Sequence, residues 1–141
     1  MSVESRGVVL HVEDDPIVRE AMAMVLSGDG YSVSIAANGS EALRLVAQGL
    51  RPDLLIVDFN LGEEMNGAEA TEQLQRALGY TPPIIMLTGD PSNAEFPWIT
   101  AMPVWLARKP MSPRLLLAAV PSLVQLSRST RPFLSASTRK A

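Results

Sequence analysis

Five short strand-like runs recur along the chain, and nearly all of them stop at polar residues. Val8–Val12 leads into Glu13, Asp14 and Asp15, Ser32–Ala36 into Asn38, Leu54–Val57 into Asp58, Ile84–Leu87 into Thr88, and Val104–Ala107 into Arg108 and Lys109. Between them lie segments with apolar residues at helical spacing. Strands alternating with helices imply a parallel sheet, because each right-handed crossover lays a helix on one face or the other. The pattern therefore predicts an α/β domain of five strands and five helices, and such sheets bind ligands at the carboxyl ends of their strands.

The helices carry their own punctuation. Pro16 suits a first helical position, where its missing N–H costs nothing, and Ile17, Val18, Ala21, Met22, Val25 and Leu26 form one stripe behind it. Gly28 and Gly30 predict a C-cap and turn. Asn38 and Glu41 have capping-box spacing before a helix through Gln48. A third helix is expected from about Ala68 to Leu78, after the loop Leu61–Gly67. The stretch between Thr88 and Lys109 carries Pro91, Pro97 and Pro103, so its helix is expected to be short or distorted. Ser112 and Pro113 open the last helix, in which Pro121 predicts a kink. The domain is expected to cover residues 1–126, with 127–141 a disordered polar tail.

Composition narrows the chemistry. The 141 residues hold no cysteine, which excludes disulfides, thiolate catalysis and cysteine-based metal sites. A net charge of −3 without a basic cluster before the tail argues against nucleic acid as a partner. No signal-peptide core and no membrane-length apolar run is present, so a cytosolic (cytoplasmic) domain without a membrane partner is expected. His11, the single histidine, falls inside an apolar strand and reads as a packed residue, not a phosphodonor.

The strand ends decide the function. The first delivers Asp14 and Asp15, the third Asp58, the fourth Thr88 and the fifth Lys109. Each has an ordinary explanation alone: an acidic pair before Pro16 suits a helix N-cap, and Thr88–Gly89 or Lys109–Pro110 suits a turn. Together they put three carboxylates, a hydroxyl and an ammonium at one edge. Clustered carboxylates repel, and a divalent cation relieves them. Oxygen-only ligands in an open cleft suit Mg²⁺. A carboxylate flanked by Mg²⁺, Lys and Thr is equipped for phosphoryl transfer, with Asp58 as the nucleophile.

The motifs EDDP, LLIVDFNL, IIMLTGD and RKPM occur in that order, each at a strand end. This series resembles the response-regulator receiver family of two-component signalling, over roughly residues 7–126. The resemblance implies a flavodoxin-like (βα)5 doubly wound sheet with strand order 2-1-3-4-5. It implies Asp58 as phosphoacceptor, and Mg²⁺ held by Asp14, Asp15, Asp58 and the backbone carbonyl of Asn60. Thr88 would hydrogen-bond the phosphoryl group, Lys109 would pair with it, and Lys109–Pro110 would be cis. It further implies a histidine kinase or histidine phosphotransfer protein as donor, a downstream protein as target, and no catalysis beyond the domain's own phosphorylation and dephosphorylation.

Some positions depart from the family pattern. The loop NLGEEMNG after Asp58 is one residue longer than the common family pattern, and Gly62 stands where proline is usual. Leu106 occupies the position of the aromatic switch residue, and Asn60 and Asp90 resemble positions that tune phosphate lifetime. The nearest rival reading is a receiver within a larger hybrid histidine kinase. A flavin-binding module would share the topology but needs a Ser/Thr/Gly-rich phosphate loop where this chain has acids. An Asp-nucleophile hydrolase lacks its second Asp, since Asn60 stands there. An interaction module that is never phosphorylated would be expected to lose the acceptor, the lysine or the acidic pair.

Overall fold

The structure, a computed structural model, describes residues 5–62, 65–89 and 104–139, with side chains described up to Thr130. Five strands form one parallel sheet: β1 Val8–Val12, β2 Ser32–Ala36, β3 Leu54–Asp58, β4 Ile84–Thr88 and β5 Val104–Arg108, in the order β2-β1-β3-β4-β5. This is the doubly wound order expected of a flavodoxin-like fold. Four helices are described: α1 Pro16–Gly28, α2 Gly39–Ala47, α3 Gly67–Leu78 and α4 Pro113–Arg139. The weak helix expected between Thr88 and Lys109 falls on residues 90–103, outside the described residues, as do Asp90 and Trp98.

Strand alternation sends neighbouring side chains to opposite faces, and the core divides accordingly. On one face Val9, Leu54, Ile56 and Leu87 pack with Met22 and Leu26 of α1 and Leu116, Val120 and Val124 of α4. On the other, Leu10, Val12, Leu55, Val57 and Met86 pack with Ala42 of α2 and Ala70 and Leu74 of α3. β3 and β4 lie inside the sheet and are buried at all five positions, which is why they read as continuous apolar runs. Each fully buried Leu or Ile there contributes on the order of 2 kcal/mol, so the strand that carries Asp58 is among the firmest parts of the molecule.

The helix ends show where side chains replace missing backbone partners. Asp15 caps α1 by accepting from Ile17 N and Val18 N, and α1 closes at Asp29, not Gly28, with Gly30 at φ +95°. Asn38 caps α2 through Glu41 N as expected, but the Glu41 side chain reaches Ala37 N instead of closing a box. The complete capping box is at α3, between Asn66 and Glu69. The last helix does not stop at Leu126. It continues through Pro121 and on to Arg139; Ser127 is buried and Arg128 lies 3.7 Å from Asp53. The polar residues at the start of the supposed tail are thus held against the body, which a composition argument cannot detect.

Candidate functional site

β1 and β3 are neighbours, with Val12 opposite Val57, so Glu13 and Asp58 emerge side by side one step further on. Both are buried: Glu13 is 2% exposed and Asp58 0%. Carboxylate oxygens of Glu13, Asp14 and Asp58 lie within 4.8 Å of one another. Asp14 is the exposed member and opens the cluster to solvent.

Asp15, expected as a metal ligand, stands apart from this cluster. Its Oδ1 accepts from Ile17 N at 2.9 Å, so its charge is spent on the positive end of α1. Glu13 takes its place beside Asp58 and is the site residue that the sequence reading missed. The available signal was strand alternation: Val9, His11 and Glu13 share the face of Leu54, Ile56 and Asp58.

From the fifth strand, Lys109 Nζ reaches Asp58 Oδ2 at 2.6 Å. The other carboxylate oxygen, Oδ1, accepts from Asn60 N at 3.0 Å, which fixes the turn after β3. Phe59 N bonds Leu87 O at 2.8 Å, and Gly67 N bonds Phe59 O at 2.7 Å, so the loop after Asp58 is tied to β4 and to the start of α3. A Cβ on Gly67 would lie 2.5 Å from the Asp58 carbonyl oxygen, and only glycine fits that approach. Gly62 sits at φ +95°, which a proline ring forbids, and this accounts for one departure from the usual loop. Thr88 is buried at the end of β4, and its carbonyl accepts from Lys109 N at 2.9 Å. The Lys109–Pro110 bond is cis. Asp58, Thr88, Lys109, Asp14 and Asn60 are therefore gathered at one sheet edge, as expected.

Titration of the site follows from crowding. Burial, then hydrogen bonds to Asp58 and Asp14, push the Glu13 carboxyl up to about 8. Crowding thus favours a proton on Glu13, and a hard divalent cation would find the same oxygen donors there. The donor set fits Mg²⁺. Below the acids His11 is fully buried in β1, and neither ring nitrogen has a hydrogen-bond partner among the described residues. Burial pushes its imidazole down to about 4, despite the opposing pull of Asp58. It is a neutral packed residue, as the sequence implied.

The family model for the response regulator receiver domain matches residues 9–120. The chain belongs to this family. It is 42% identical over 87 residues to the response regulator MprA of Mycobacterium leprae, a match covering 62% of this chain and 37% of that protein. The chain therefore spans little more than a third of the curated relatives it matches. Among solved structures it is similar to the N-terminal domain of a response regulator/sensory box/GGDEF three-domain protein from Carboxydothermus hydrogenoformans, with TM-score 0.76, 27% identity, and 87% and 98% of the two chains covered. It is also similar to the receiver domain of the hybrid histidine kinase CckA, with TM-score 0.70, 28% identity, and 84% and 99% covered. Receiver domains typically bind Mg²⁺ and exchange signals with kinases and downstream proteins, and they are not enzymes in the ordinary sense. Among the described residues no helix is long and apolar enough to cross a membrane.

Proposed function

We propose that this receiver accepts a phosphoryl group on Asp58 from a phosphohistidine donor and passes the signal on by a change of conformation. One observation carries the reading: a fully buried acceptor carboxylate is paired with Lys109 at 2.6 Å and adjoins two further acids. An Asp58 oxygen bonds the phosphorus while the phosphorus–nitrogen bond to the donor imidazole breaks, leaving an acyl phosphate on Asp58. Mg²⁺, held by Glu13, Asp14, Asp58 and the Asn60 carbonyl, would supply charge neutralisation for the phosphoryl oxygens. Lys109, released from the carboxylate oxygen it holds, pairs with the incoming group. Thr88, at the end of β4, donates its hydroxyl to the same group.

The donor is a histidine kinase or histidine phosphotransfer protein. An apolar groove of about 210 Å³ between α1 and the start of α4 supports docking beside the cleft. Val18 lines both the groove and the acidic cleft. Likeness to the CckA receiver favours a second reading, in which the domain serves within a larger hybrid kinase. The complete reading frame discriminates between them.

Intact mass after incubation with acetyl phosphate and Mg²⁺ tests the chemistry. One added phosphate is expected, and none in Asp58→Asn. Equal labelling of the variant would remove Asp58 as acceptor. No labelling of the wild-type chain by this donor or by candidate kinases would favour an unphosphorylated interaction module.

A further inference from the structure

Between β1 and α1 the chain is pinned at both ends. Glu13 N bonds Ala36 O at 2.9 Å, and the Asp15 carboxylate bonds Ile17 N at 2.9 Å. The carbonyls of Glu13 and Asp14 lie between these anchors. Arg19, on the second turn of α1, donates from Nη1 to Glu13 O at 2.8 Å and to Asp14 O at 3.4 Å. Long helical side chains run back toward the N-terminus, so residue 19 is suitably placed to reach this loop.

We infer that Arg19 is a positioning residue, which fixes the Glu13–Asp14 backbone so that both carboxylates meet Asp58 already arranged for a divalent cation. The inference rests on the proposed Mg²⁺ site. The acids themselves cannot supply this restraint. Three carboxylates within 4.8 Å repel one another once ionised, and repulsion would turn Asp14, the exposed member, out toward water. A guanidinium bonded to both carbonyls opposes a backbone rotation that would carry Asp14 outward, without occupying the carboxylate oxygens.

Arg19 has a second, opposite influence, because a fixed positive charge near the cleft disfavours a cation. The sign of its effect on metal affinity therefore separates the two roles. If charge alone mattered, neutralising Arg19 would tighten Mg²⁺. If positioning dominates, neutralising it weakens Mg²⁺, by about tenfold on the scale of residues that orient metal ligands.

Calorimetric titration of the full chain with Mg²⁺, without any phosphodonor, makes the comparison for wild type, Arg19→Gln and Arg19→Lys. Urea midpoints of the metal-free proteins are measured alongside. The expected result is a roughly tenfold weaker Kd in Arg19→Gln, with most of the loss recovered in Arg19→Lys. Unchanged or tighter binding in folded Arg19→Gln overturns the positioning role while leaving the metal site intact. A loss of stability without loss of affinity overturns it as well, since that is a merely structural role. Absence of binding by the wild-type chain overturns the Mg²⁺ reading, and the role of Arg19 falls with it.

Discussion

Lys109 Nζ lies 2.6 Å from Asp58 Oδ2, and the two ends of this bond see different surroundings: the carboxylate side chain is 1% exposed and the lysine side chain 33%. The pair joins the third and fifth strands across β4 and compensates a carboxylate that is itself almost wholly buried. Lys109→Met leaves Asp58 buried and uncompensated beside Glu13. A cost of about 2 kcal/mol is expected, below the usual figure for a fully buried pair because the lysine reaches solvent. In an Asp58→Asn background the same substitution should cost much less. Urea unfolding at pH 7 without divalent cations measures both, and equal costs in the two backgrounds would show that the pair is not coupled.

Gly67 is the second point of restraint on Asp58. An alanine there drives its methyl against the Asp58 carbonyl oxygen and Phe59 Cα, both backbone atoms that cannot swing aside. Gly67→Ala should destabilise by roughly 1–3 kcal/mol, as overpacking does. It should also slow labelling by acetyl phosphate, because the Asp58 turn must move. A variant with wild-type stability and labelling rate would mean that the loop yields freely.

The fold was legible because its signals are local. The five strand-like runs coincide with β1 to β5, and Asp58, Thr88 and Lys109 fall at strand ends where the topology must bring them together. What escaped depended on direction or on distant contacts. Asp15 and Glu13 flank Asp14 in sequence, yet Asp15 turns to the α1 N–H groups and Glu13 turns to Asp58. Motif order cannot tell them apart, whereas strand alternation and the proline after Asp15 could have done so. Where α4 runs past Leu126, Arg128 meets Asp53, seventy-five positions earlier in the chain, and no window of local composition contains that contact.

Acid sensitivity follows from His11. Its folded pKa of about 4 lies below the ordinary 6.5, so the unfolded chain binds the proton more readily. Its contribution is present above pH 6.5 and is lost as pH falls through 4. Between pH 7 and pH 4.5 the loss should be roughly 2 kcal/mol. Since the Glu13 contribution to stability also changes between pH 4.5 and 8, the difference between wild type and His11→Phe isolates the histidine. Urea midpoints at the two pH values provide the check. A variant as acid-sensitive as the parent would deny His11 this role.

Glu13 acts in the opposite sense. Its carboxyl is raised from 4.5 to about 8, so the metal-free folded state binds the proton more tightly than the unfolded chain. That contribution is complete below pH 4.5 and disappears as pH rises through 8. A bound cation must displace the proton, so apparent Mg²⁺ affinity should rise with pH and level off above about 8. In Glu13→Gln the pH dependence should flatten and the affinity fall. Parallel affinity–pH curves for the two proteins would place the titrating group elsewhere.

A phosphoryl group shifts a conformational equilibrium only through contacts that differ between its states. Thr88 and Lys109 are the groups placed to supply them, and Lys109 N already bonds Thr88 O at 2.9 Å. These two residues bracket, in sequence, the segment that leads into β5. In the usual receiver an aromatic ring fills the space the threonine leaves. Leu106 stands there instead, opposite Met86 in the sheet, with no ring and no hydroxyl to engage a partner. The response should therefore be carried by the backbone between Thr88 and Val104, with smaller changes at Trp105 and Leu106. β1 and β3 should stay rigid, because their residues fill both cores. Hydrogen exchange with and without a beryllofluoride phosphoryl mimic reads this directly. Protection gained evenly over all five strands, with nothing particular between Thr88 and Val104, would replace local switching by a general tightening of the fold.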